Sequence, residues 1–490
     1  MQLNWKHVLG VATCLSAAGV DASKPSNGAT LKVKTTSGQL TGFINSTAPA
    51  VRQFLGVPYA EPPVDALRFQ PPKRKHSSKA IKATTYAPSC LQKLSTTATV
   101  YTEYMQEFLI NGGQSEDCLY LNVYAPLNPT AKKLPVFIYI PGGGFTGGGA
   151  DSLYKIPDKW IQRTQSHIIV TMNYRVNVFG FPNAADASQN VGLLDQRVVV
   201  EWVRDNIAAF GGNPKQMTLW GQSAGAASVG MYGYSYPKDL IVKGLILDSG
   251  ATSTLTTKAG NHTTFSSLST LVGCGGLSAA KELACMQGVD ATDIQDAYSG
   301  STLAFSPVGD NVTAYTNTTD RLARGLVSKK EPWIMGVNSN EGAGFGTYSE
   351  SGMTPGQFAT GLAAIVCPVS TEIQNRVKFG YDTYRYHYSG NFSNISPLPW
   401  IGATHSAELP LLFGTHYEYR GNSTEFEWEV SYGMEALWLS FASNPQRDPR
   451  DGQGTTWPKY REGRDTLAVF AEDDKWIQFV SESVDDGYCS

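Results

Sequence analysis

Met217-Thr218-Leu219-Trp220-Gly221-Gln222-Ser223-Ala224-Gly225-Ala226-Ala227-Ser228-Val229 is a short apolar run, a Gly-x-Ser-x-Gly turn and a run of small residues. It reads as a strand that turns sharply into a helix and carries a serine at the turn. Such a turn forces the serine into a strained backbone conformation, and glycines on either side remove side chains that would collide there. The helix that follows places its N-terminus, where negative charge is favoured, behind the Ser223 hydroxyl. Ser223 is therefore the candidate nucleophile.

Outward from this turn the pattern repeats: a continuous apolar run, a turn rich in Gly, Pro or Asn, then helical spacing. Leu134 to Ile140 is a buried-strand candidate ending at Pro141 and three glycines, and Ile168 to Met172 is another. Leu194, Val198, Trp202 and Ile207 fall at helical spacing in a segment that stops at Gly211-Gly212. Leu245 to Leu247 and Trp333 to Val337 read as further strands. Strands that are apolar throughout and alternate with helices imply a mainly parallel sheet covered on both faces, hence one large α/β domain.

The 490 residues are 41% hydrophobic and 17% charged, with a formal net charge of −3. That composition excludes disorder, collagen and coiled coil, and the near-neutral charge gives no field that would gather nucleic acid or an anionic membrane. The basic cluster Pro72-Lys73-Arg74-Lys75 with Lys79 and Lys82 reads as a solvated loop. Lys6, the apolar run Val8 to Leu15 and small residues up to Ala22 have the order of a secretory signal peptide over residues 1–22, leaving 23–490 as the mature chain. No segment is long enough to span a bilayer.

Six cysteines remain after that cleavage. Cys90 with Cys118 and Cys274 with Cys285 would close short loops, each stabilising by about 2–4 kcal/mol, whereas pairing of Cys367 with Cys489 stays open. Seven Asn-X-Ser/Thr acceptors, at Asn45, Asn261, Asn311, Asn317, Asn391, Asn394 and Asn422, fit a secreted glycoprotein.

The run from Phe210-Gly211-Gly212-Asn213-Pro214 through Gly221-Gln222-Ser223-Ala224-Gly225 resembles the serine signature of type-B carboxylesterases and lipases, the cholinesterase-like branch of the α/β-hydrolases. Glu116 to Tyr124 (EDCLYLNVY) resembles a second signature of that family. Phe54 to Ala60, Asn173-Tyr174-Arg175, Gly192 to Gln196 and Trp457 to Tyr460 are similar to further family segments, in order along nearly the whole chain. The resemblance implies an α/β-hydrolase fold, with a large mixed, mostly parallel sheet and helices on both faces.

It also implies site residues. Gly142-Gly143-Gly144-Phe145 follows a strand, and the likeness assigns the N–H groups of Gly143, Gly144 and Ala224 to an oxyanion hole. Pro141 stands where many relatives carry His or an aromatic residue. The chain order for the fold is serine, acid, histidine. Of His262, His387, His405 and His416, the segment Gly402 to Pro410 around His405 looks like the family's catalytic-histidine segment, with His416 the competitor. Glu341, in Asn338-Ser339-Asn340-Glu341-Gly342, resembles the family's acid; Asp310 and Asp195 are the alternatives and read as structural. The implied chemistry is two-step acyl transfer on a small-molecule or lipid ester, with no metal and no organic cofactor.

Tyr101, Tyr104, Met105, Phe108 and Leu109 fall on one helical face, either packed on the core or acting as a lipase-like lid. Gln222 occupies the position where cholinesterases carry an acidic residue, which disfavours a cationic choline substrate. The interval from Glu341 to His405 looks shorter than in larger relatives, consistent with a reduced helical cap. An acyltransferase with the same triad, and a non-catalytic adhesion relative, are the competing readings. Natural substrate, acyl-chain length and oligomeric state are not fixed by the sequence.

Overall fold

The computed structural model describes residues 30–93, 97–253, 257–258 and 262–489. The signal-peptide reading of residues 1–22 and the acceptor Asn261 lie outside the described residues.

The strand anticipated at 217–220 is longer, Gly212–Gln222, and lies near the middle of an eleven-stranded sheet. In chain order the strands are β1 (Phe43–Ile44), β2 (Val51–Pro58), β3 (Tyr120–Pro126), β4 (Leu134–Ile140), β5 (Ile168–Met172), β6 (Gly212–Gln222), β7 (Gly244–Asp248), β8 (Trp333–Asn338), β9 (Thr383–Tyr388), β10 (Leu467–Glu472) and β11 (Lys475–Val480). Across the sheet the order is β11-β10-β9-β8-β7-β6-β4-β5-β3-β2-β1. Every pairing from β5 to β10 is parallel. β3, β2 and β1 at one edge and β11 at the other pair antiparallel. The mixed, mostly parallel sheet expected for an α/β-hydrolase is present.

Continuous apolar strands are what such a sheet needs, because alternate side chains enter two separate cores. Val136, Ile138 and Ile140 of β4 and Leu219 of β6 pack on one face, with Val199, Val203 and Val229 from the helices α1 (Val191–Asn206) and α2 (Ala224–Ser235). Phe137 and Tyr139 of β4 and Trp220 of β6 point the other way, against Met434, Leu437 and Trp438 of α3 (Glu425–Ser443). Full burial of each Leu, Ile, Val or Met is worth about 1.5–3 kcal/mol.

The register brings the carboxyl ends of the strands level: Ile140 is opposite Gly221, and Gln222 is opposite Asp248. Ligand sites of open parallel sheets form at that edge.

All three disulfides are formed: Cys90–Cys118 and Cys274–Cys285 as expected, and Cys367–Cys489 as the pair the spacing left open. The last ties the C-terminal tail to the helix Cys367–Lys378. Beside it Arg385 and His387 of β9 hold Asp485, with His387 Nδ1 2.6 Å from Asp485 Oδ1.

Two expectations need correction. Tyr101 to Leu109 is not one helix: a single turn at Val100–Glu103 ends at Tyr104, and a 3-10 turn follows at Gln106–Phe108. Met105 and Phe108 are buried, Leu109 is exposed, and the Tyr101 hydroxyl donates to the His405 carbonyl at 2.5 Å. The segment is packed into the molecule. Asn394 is also unlike the other acceptors. It is 7% exposed, and its Nδ2 donates to the His416 carbonyl, Ser423 Oγ and Glu427 Oε1. A sugar on that nitrogen cannot coexist with this packing.

Candidate active site

Ser223 sits between β6 and α2 with φ 59° and ψ −124°, a conformation that side chains other than glycine seldom adopt. It persists because its surroundings leave no alternative. A Cβ on Gly225 would stand 2.1 Å from the Ile140 carbonyl oxygen, and one on Gly221 would meet the Gly225 carbonyl at 2.4 Å. The Ser223 N–H donates to the Asp248 carbonyl at 2.8 Å, locking the turn onto β7.

The glycine loop after β4 lies against this turn. A Cβ on Gly142 would be 2.8 Å from Ser223 Cβ. Gly143 and Gly144 take φ of +131° and +62°, and the Gly143 carbonyl accepts from the N–H groups of Thr146 and Gly147 at 3.0 Å. That turn keeps the loop backbone at the mouth of the nucleophile. The N–H groups of Gly143, Gly144 and Ala224 donate to no acceptor among the described residues.

Glu341 opens a 3-10 turn (Glu341–Gly344) just beyond β8 and is 2% exposed. Its Oε1 accepts from the Asn338 N–H at 2.7 Å, and its Oε2 lies 2.5 Å from His405 Nδ1. His405, 6% exposed, is delivered by a loop sewn to the end of β8. The Asn340 N–H donates to the Ala403 carbonyl at 3.0 Å, and Asn338 Nδ2 donates to the Thr404 carbonyl at 2.8 Å. The Phe345 ring packs 4.9 Å from the imidazole. Two residues separated by 64 positions are thus in direct contact.

Ser223 is not bonded to the imidazole. The Gln222 amide Nε2 lies 3.0 Å from His405 Nε2, and the Ser223 hydroxyl makes no hydrogen bond among the described residues. With the amide nitrogen as donor, ring Nε2 is the acceptor and the ring proton sits on Nδ1, facing Glu341. That is the tautomer a general base requires. Catalytic hydrogen bonds often tighten only when substrate is bound.

The alternatives are all otherwise engaged. His416 Nδ1 lies 2.5 Å from Ser423 Oγ and 3.3 Å from Glu427 Oε1, and its ring is fully buried. His262 faces the Asn183 carbonyl at 2.8 Å. Asp195 is paired with Arg175 through both carboxylate oxygens. Asp310 caps the backbone N–H groups of Val312, Thr313 and Ala314.

Asp248 forms the floor beneath the nucleophile. Its carboxyl is completely buried and takes the Trp220 indole N–H and the Tyr386 hydroxyl. Burial pushes its pKa from the ordinary 3.8 up to about 7, with these hydrogen bonds pulling the other way. The folded chain therefore keeps a proton that the unfolded chain has already lost, and stability falls as pH rises from about 4 to about 7. Denaturant unfolding at pH 5 and pH 8 should show Asp248→Asn gaining stability relative to the parent at the higher pH. Identical pH slopes for the two proteins would contradict this assignment.

A model of the carboxylesterase family matches the chain over residues 29–363 and 357–481. Chlorogenic acid esterase of Aspergillus niger is 52% identical, covering 98% of this chain and 98% of its own length. Secreted lipase 5 of Gibberella zeae is 37% identical over 99% of this chain and 100% of its own. Acetylcholinesterase of Bungarus fasciatus is 30% identical over 94% and 86%, respectively.

Proposed function

The chain belongs to the carboxylesterase family and is a carboxylic ester hydrolase, and from that premise we propose that Ser223, His405 and Glu341 form its catalytic triad. The observation that carries this reading is the 2.5 Å contact between His405 Nδ1 and Glu341 Oε2, set beside a serine held at φ 59°. Substrate entry displaces the Gln222 amide from His405 Nε2, which then takes the Ser223 proton as Oγ attacks the ester carbonyl. Glu341 holds the imidazole in orientation and stabilises its charged form. The N–H groups of Gly143, Gly144 and Ala224 receive the developing oxyanion, each such donor being worth about 2.7–4 kcal/mol in the transition state. His405 protonates the departing alcohol, then deprotonates a water that clears the acyl-enzyme.

The mature unit in this reading is residues 23–490, one catalytic domain secreted after removal of a signal peptide. Three disulfides support an oxidising compartment. No helix among the described residues is long and apolar enough to cross a membrane. Exposed Asn311, Asn317, Asn391 and Asn422, together with half-buried Asn45, are the glycosylation sites of this reading.

For substrate, the likeness to chlorogenic acid esterase favours chlorogenic acid, an ester of an aromatic acid with a polyhydroxylated alcohol. Product analysis with purified secreted protein is expected to give the free acid and free alcohol in equal amounts, faster than from long-chain p-nitrophenyl esters. Acyl transfer to an added alcohol in preference to water would assign the triad to an acyltransferase instead. A preference for palmitate esters would favour a lipase.

A further inference from the structure

We propose that a second site, apart from the triad, seats the first sugars of a glycan carried by the chain itself at Asn45. This rests on the reading of the protein as a secreted glycoprotein. A cavity of about 490 Å³ lies at the β1–β2 edge of the sheet, within the roughly 300–1,000 Å³ typical of small-molecule sites. Asn45 lines it, and so does Thr47 of the same acceptor tripeptide. The rest of the wall comes from Phe43 of β1, from β2, from residues 84–86, from Ile156 and the start of the helix Asp158–Thr164, and from residues 415–419.

The chemistry of the wall suits a neutral ligand rich in hydroxyls. Asp158 is buried and accepts from Gln53 Nε2 at 3.2 Å, and Glu418 lies 3.5 Å from Lys159 Nζ, so the same wall carries two carboxyl groups and one ammonium. Carboxylates accept from sugar hydroxyls, and the Thr84 and Thr85 side chains on the same wall can donate or accept. Tyr86 and Tyr419 supply aromatic surface. Their hydroxyls are already committed, to Tyr124 Oη at 2.5 Å and to the Leu153 carbonyl at 3.2 Å, so the rings are held in place for apolar sugar faces.

The acceptor turn is fastened to this wall. The Thr47 N–H donates to Asn45 Oδ1 at 3.1 Å, and Lys159 Nζ donates to the Thr47 carbonyl at 3.0 Å. Asn45 Nδ2 has no partner among the described residues. That nitrogen displaces the diphosphate leaving group at the anomeric carbon of a lipid-linked oligosaccharide and gives up one proton. A sugar tethered there meets the cavity at an effective concentration of order millimolar, so weak intrinsic affinity suffices to seat it.

The test uses full-length protein secreted from a eukaryotic host and treated with peptide N-glycosidase, without denaturation, while peptide mass spectrometry follows each site. Release at Asn45 should be at least tenfold slower than at exposed Asn311 and Asn422. Glu418→Ala combined with Tyr419→Ala should bring the Asn45 rate to that of the exposed sites while esterase activity is kept. An occupied Asn45 that is released as fast as the exposed sites in the parent protein overturns the seating and leaves the glycoprotein reading intact. An Asn45 without sugar, beside occupied Asn311 or Asn422, overturns the seating too. Absence of sugar at Asn45, Asn311, Asn317, Asn391 and Asn422 alike overturns the glycoprotein reading with it.

Discussion

Ser223→Ala is expected to lower kcat by about 10⁴–10⁶-fold, with KM little changed and the folded state at least as stable as the parent. The magnitude follows from removing the only group that forms the acyl-enzyme in this mechanism. What survives is binding and the backbone donors around the oxyanion, which alone retain a factor of roughly 10³–10⁴ over water in serine hydrolases. The stability expectation comes from this structure. The Ser223 hydroxyl makes no hydrogen bond among the described residues, so deleting it leaves no partner unsatisfied. The strain at φ 59° belongs to the backbone and is kept by alanine. A variant retaining more than a tenth of parental turnover would remove Ser223 from the nucleophile position. A variant that failed to fold would contradict the claim that this hydroxyl serves chemistry alone.

Glu341→Gln is expected to cost about 10⁴-fold in kcat, the scale seen when a triad carboxylate becomes its amide. Glutamine matches the shape and can still accept from the Asn338 N–H, so the turn after β8 should persist. What changes is the partner of His405 Nδ1. A carboxylate only accepts, which fixes the ring proton on Nδ1 and leaves Nε2 free for the Ser223 proton. An amide can present its own N–H to Nδ1, turning the ring tautomer over and removing the base. It also withdraws the negative charge that stabilises the imidazolium. Loss below tenfold, with circular dichroism unchanged, would mean that another carboxyl serves the histidine. Asp248, which takes the Trp220 indole and the Tyr386 hydroxyl, and Glu408, which accepts from Asn338 Nδ2, are the buried carboxyls to be tested next.

The elbow was readable from residues alone because its requirement is steric and local. Gly221 and Gly225 must be glycine for reasons visible in two contacts of 2.4 and 2.1 Å. The parallel strands were readable for a similar reason, since a strand buried on both faces has to be apolar at every position. Glu341 and His405 are different. Nothing in their spacing says that they touch, and only the likeness to family segments singled them out. The Asn338 and Asn340 bonds that sew the two loops together are long-range and carry no local signature.

The misreadings have equally specific causes. Tyr101, Tyr104 and Phe108 are spaced as on a helix, but Tyr104 and Met105 leave helical geometry at φ −130° and −132°. There tertiary packing outweighs the periodicity. The acceptor tripeptide at Asn394 is chemically complete, yet a tripeptide does not encode burial, and three hydrogen bonds hold that amide inside. The contact of Gln222 with His405 depends on side-chain rotamers that no pattern specifies.

The most direct test of the central claim is covalent trapping of the nucleophile. Incubation with a p-nitrophenyl alkylphosphonate should release one equivalent of p-nitrophenol, abolish activity, and add the phosphonyl mass to the peptide containing Gly221-Gln222-Ser223-Ala224-Gly225, on Ser223 itself. Complete inactivation with the added mass on any other residue would contradict the account.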